Sequence, residues 1–120
     1  MKNKNNIKYY DEYDLFYFVY LQMPKLLIIG KFTFSIFPSD IDESRKHIHI
    51  LSKKGRKYKF AKIWIEKEGV FDIEIAKQGD FSDVKINKIT KLLEENHMII
   101  EKQLDDYFSG KKIKTIKFSN

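Results

Sequence analysis

The 120-residue chain has no cysteine, which excludes disulfides, thiolate metal sites and cysteine nucleophiles and fits a reducing, cytoplasmic setting. Long apolar runs are also missing. The most hydrophobic N-terminal stretch, Leu15 to Met23, falls far short of the roughly 20 residues a membrane span needs, and acidic residues precede it where a secretory signal would be basic. Neither membrane association nor export is expected. No glycine-rich phosphate loop and no serine-nucleophile motif occurs, and no cofactor is expected. The acidic stretch at Asp40, Asp42 and Glu43 lacks the glycine and the later bidentate glutamate of a calcium loop. There is no internal repeat and no long linker.

What the chain does contain is apolar and basic. Hydrophobic residues make up 42% and aromatics 15%, more apolar surface than a disordered chain can hold in water, so one folded domain is expected. Lys and Arg number 23 against 17 Asp and Glu, giving a net charge of +6 and a pI near 9.3. That balance favours an acidic partner such as RNA, although lysine-rich codon usage in an AT-rich genome gives the same bias.

Residues 1–22 read as an aromatic N-terminal extension, and 23–120 as a single α+β domain. Tyr13, Phe16, Tyr17 and Tyr20 recur at helical spacing, so the extension is expected to hold a short amphipathic helix. After Pro24, LLIIGKFTFSIF reads as one strand with Gly30 at a bend, and PSDIDESRK as a loop. A two-residue hairpin loop at Lys54-Gly55 would set His47 opposite Lys62 and His49 opposite Phe60. A three-residue loop, Lys67 to Gly69, would pair Ile65 with Phe71, Ile63 with Ile73 and Ala61 with Ile75; a two-residue loop there would set Ile65 against Asp72. Ile48, Ile50, Ala61, Ile63, Ile65, Phe71, Ile73 and Ile75 then share one face. Its cover is a helix running from the N-cap Ser82 to about Phe108, with Ser109-Gly110 ending it. The basic tail KKIKTIKF adds an edge strand or lies on the surface. The expected fold is α+β, a mainly antiparallel meander of about four strands with one long C-terminal helix packed on one face.

The opposite face collects His47, His49, Tyr58, Phe60, Lys62, Trp64, Asp72 and Glu74. In that register His47, Lys62 and Glu74 form a row, with Trp64 opposite Asp72. Three readings fit it. Two imidazoles could act as general base and acid with Lys62 stabilising a developing anion, which would be metal-independent RNA cleavage with Glu74 in support. His-x-His could supply two metal ligands, with Glu74, Glu43 or Asp40 as a third, but without a fixed third ligand no metal is assigned. Or charge pairs and aromatics simply cover a half-exposed sheet face. His97, beside the helix's apolar stripe, reads as a packing residue. Lys53, Lys54, Arg56, Lys57 and Lys59 around the first hairpin could hold phosphates, with Tyr58, Phe60 and Trp64 stacking bases; lysines at a turn are also commonly just solvated.

From Met23 to about residue 109 the chain resembles a family of short prokaryotic proteins catalogued as domain of unknown function 4160. The matching pieces are Met23-Pro24, Gly30 with Phe32 and Phe34, Ser39-Asp40, Glu43, the HIHI strand, Ala61 to Trp64, Phe81-Ser82, Glu94 to Asn96 and Phe108. The family tends to carry proline where Lys67 stands, Asn-x-Gly-Phe where Gln78 to Phe81 stand, and Trp-Asn where Leu104-Asp105 stand. No activity is established for it. Its members are often encoded beside another small protein, an arrangement similar to toxin–antitoxin pairs. The resemblance therefore implies a small protein partner, and it falls on His47, His49 and Lys62, with Asp40 and Glu43 as binding residues leading in. The function expected is that of one member of such a pair, acting on or binding RNA through the histidine face; the alternative is a non-catalytic protein-interaction module.

Overall fold

The computed structural model describes residues 23–36, 45–55 and 57–118. The predicted N-terminal helix, and Asp40, Asp42, Glu43 and Arg56, lie outside the described residues. Six strands form one mixed sheet: β1 (Lys25–Ile29), β2 (Phe32–Ser35), β3 (His47–Lys54), β4 (Lys57–Lys67), β5 (Val70–Lys77) and β6 (Ile116–Phe118), in the order β5-β4-β3-β2-β1-β6. Two helices, α1 (Asp83–Glu95) and α2 (His97–Phe108), cover one face. Among the described residues, no helix is long and apolar enough to cross a membrane.

The stretch read as one bent strand is a hairpin. Gly30 has φ +56°, which turns the chain so that Ile29 pairs with Phe32 and Ile28 with Thr33. A bulge between Lys25 and Leu27 lets the consecutive Leu26 and Leu27 both enter the core. The basic tail does add an edge strand, and it runs parallel to β1, with Leu27 beside Ile116. The expected four-stranded antiparallel meander is thus a six-stranded mixed sheet.

The two inner-face patterns read from the sequence hold, but both registers differ. Lys54 pairs with Lys57, so the first loop opens at Gly55, whose φ is +61°, rather than centring on Lys54-Gly55. Every β3 residue is thereby shifted two places along β4, and Ile48 meets Ile63 while Ile50 meets Ala61. A two-place slip leaves each side chain on its own face, which is why the inner set survives the error. At the second turn Lys67 pairs with Val70, and Glu68 and Gly69 both have positive φ, +54° and +83°, as a two-residue primed turn requires. The mismatch that argued against such a loop is relieved by irregularities between Trp64 and Glu66 and between Lys62 and Ile63, so Ile63 meets Ile75.

The predicted single helix is broken at Asn96. Its backbone N–H and its Nδ2 both donate to the Leu92 carbonyl, 3.1 and 2.9 Å, ending α1 before α2 begins at His97. Ser82 caps α1 as expected, its hydroxyl accepting from the Lys85 N–H at 3.2 Å. Ile86, Ile89 and Leu93 of α1 and Ile100 and Leu104 of α2 pack with Ile48, Ile50, Ile63 and Phe34 in one core. Gly110, φ +87°, ends α2, where the Lys111 N–H donates to the Asp106 carbonyl.

Candidate functional site

Alternation along β3 and β4 puts His47, His49, Leu51 and Lys53 on the outer face with Tyr58, Phe60, Lys62 and Trp64. The corrected register builds two rows there instead of one. His47 opposes Trp64, which opposes Glu74; His49 opposes Lys62, which opposes Lys77. The expected row His47–Lys62–Glu74 is therefore split between them, Phe60 pairs with Leu51 rather than His49, and Trp64 faces Glu74 rather than Asp72.

The two imidazoles meet edge to face, ring centroids 5.0 Å apart, and His47 meets the Trp64 indole in the same way at 5.1 Å. His47 is 2% exposed. His49 is half-buried, and burial, followed by the charges of His47, Lys62 and Lys77, pulls its pKa from 6.5 down to about 3. At neutral pH it is a neutral imidazole. Such a group can accept a hydrogen bond or ligate a metal, but the one N–H it keeps is too weakly acidic for a general acid.

Two cations approach the Trp64 ring, with the Arg45 guanidinium carbon 4.9 Å and the Lys62 ammonium 4.7 Å from its centre. Arg45 is anchored by the carboxylate of Glu74 at 2.8 Å and by the Glu66 carbonyl, which accepts from Nε at 2.6 Å. The Glu66 side chain accepts from the Gly69 and Lys46 N–H groups, which hold its pKa below the usual carboxylate range. This clamp fixes the start of β3 against the β4–β5 turn. Arg45 and Lys77, which the sequence reading did not assign to the site, belong to it; Arg45 sits in a stretch read as loop, and Lys77 reaches the histidine row only through the β5 irregularities.

Of the other expected residues, Tyr58 and Phe60 stack at 6.3 Å beside Leu51 and Met23, and Lys53 lies 5.3 Å from the Tyr58 ring centre. Glu74 serves Arg45. His97 packs on Phe71 at 5.1 Å and pairs with Glu101 at 2.8 Å, clear of the outer face. Among the described residues, no three His, Asp or Glu side chains gather as a metal site would require. The chain matches no family model, no curated protein and no solved structure.

Proposed function

We propose that the protein binds RNA along the outer face of β4 and β5 without cutting it, as one member of a toxin–antitoxin-like pair. The observation that carries this reading is the directly opposed pair Lys62 and Lys77 beside the neutral His49. Lysine holds phosphate well as a point charge, and two of them side by side on one face can hold the same phosphate. Arg45 and the half-buried indole of Trp64 extend the same surface, giving a cation-and-ring combination suited to a single strand. Binding is favoured over cleavage because an acid/base pair needs one protonated imidazole. His49 is unprotonated at neutral pH and His47 is closed to solvent.

The test is a short single-stranded RNA incubated with the protein, with and without chelator, and read by native gel for binding and denaturing gel for intactness. A shifted, full-length RNA is expected, with the shift weakened in Lys62→Gln. Shortened RNA would contradict the binding-only reading, and shortening that stops in a His47→Ala, His49→Ala double variant would place acid/base chemistry on the two histidines. The small protein partner rests on the family resemblance, and co-purification with the product of the adjacent gene is its test.

A further inference from the structure

A second basic region lies on the other side of the sheet, where the helices stop short of covering it. There a cavity of about 860 Å³ opens between the first turns of α1, the β1–β2 turn and the loop-proximal end of β4. Lys31, Lys57, Lys59, Lys85 and Lys88 line it, and no carboxylate is among its described lining residues. These lysines arrive from three distant parts of the chain. Lys57 and Lys59 continue the inner-face alternation of Ala61, Ile63 and Ile65 past the point where α1 covers it. Lys85 and Lys88 flank the buried Ile86 and Ile89 on α1, and Lys31 follows the left-handed Gly30. The floor is apolar, formed by Ile29, Phe32 and Phe81, with the two phenyl rings 6.2 Å apart and the Lys88 ammonium 6.0 Å from the Phe32 ring centre.

At ordinary ionic strength charges are screened only beyond about 8 Å, so ammonium groups around one cavity repel each other. A monoanion would relieve little of this, whereas a short chain of phosphates carries enough charge to answer most of it. Lysine binds phosphate well as a point charge. Phosphates alone would leave the apolar floor unused, and the volume sits within the roughly 300–1,000 Å³ of small-molecule sites. We propose that this cleft binds a nucleoside polyphosphate, with the phosphate chain among Lys57, Lys85 and Lys88 and the base over Ile29, Phe32 and Phe81. The site is separate from the outer face and independent of the RNA-binding reading.

Isothermal titration of the full chain with ATP, inorganic triphosphate and AMP tests it. ATP is expected to bind one to one, and both other ligands at least about tenfold more weakly, since each lacks one half of the recognition. The exposed-lysine variant Lys57→Gln, Lys85→Gln, Lys88→Gln should weaken ATP by more than about tenfold, with smaller losses in the three single variants. Lys91→Gln, an exposed α1 lysine away from the cavity, should leave ATP binding unchanged while RNA binding to the outer face persists in all of them. Absence of ATP binding, more than one site per chain, triphosphate as tight as ATP, or equal loss in Lys91→Gln would overturn the assignment.

Discussion

A methyl group on Gly79 would run into the carbonyl oxygen of Phe60, and the backbone there has φ +63°, a region side chains rarely adopt. Gly69 shares only the second constraint, φ +83° with open space around its Cα. Gly79→Ala is therefore expected to cost more than Gly69→Ala, about 2 kcal/mol or more against about 1, and Gly69→Val more than about 1, read from urea unfolding midpoints. Equal losses at Gly79 and Gly69 would mean the turn before α1 is not pinned against β4. His49 makes a separate prediction. Its pKa in the fold, about 3, lies below the 6.5 of the unfolded chain, so on acidification the unfolded state takes up the proton first. The contribution to stability is complete above pH 6.5 and is lost as pH falls towards 3. Between about pH 6.5 and 5, where ordinary carboxylates stay ionised, stability should fall in the wild type and fall less in His49→Gln. A wild-type profile flat over that window would show that the imidazole is not desolvated.

At the scale of elements, one buried side chain adds to the β1 pairing that holds the last strand. Gln103 of α2 donates through Nε2 to the carbonyls of Leu26 at 3.0 Å and Lys114 at 2.7 Å, and the Thr115 hydroxyl donates to the Lys25 carbonyl at 3.0 Å. Gln103→Leu keeps the bulk and removes both bonds, so it should cost about 1–3 kcal/mol and speed amide exchange in β6 above all. Exchange that rises uniformly would contradict this placement. None of it could be read in the sequence, because the glutamine's partners lie far along the chain and nothing in its local spacing marks it. The inner and outer faces were legible, since a period of two depends only on side-chain identity and survives a slip of two places. Registers were less so: the choice of which residue opens the Gly55 loop is fixed by pairing along the whole hairpin. The second turn was rejected on an apolar mismatch that strand irregularities resolve. Helix positions were legible from Ile86 to Phe108, but the break at Asn96 was hidden because asparagine's return bond to Leu92 competes locally with a spacing that otherwise continues.

Over the whole molecule, two clusters of basic side chains lie on opposite sides of one sheet. One is the row of Lys62 and Lys77 beside Arg45 and Trp64; the other is the lysine-lined cleft beyond the helices. Placement on opposite faces lets each bind without the other. If Arg45, Lys62 and Lys77 contact about three phosphates, RNA affinity should fall roughly tenfold or more between 50 and 200 mM salt, and Lys62→Gln should flatten that dependence by about 0.7 in log–log slope. Trp64 is the sole tryptophan of the chain and lies inside the proposed RNA surface, so its fluorescence reports on that surface. The most direct test is titration of the protein with a short single-stranded RNA at low salt while Trp64 emission is followed. A saturable change that weakens with salt and in Lys62→Gln, with the RNA recovered at full length, is expected; emission indifferent to RNA, or RNA recovered in pieces, would contradict the account.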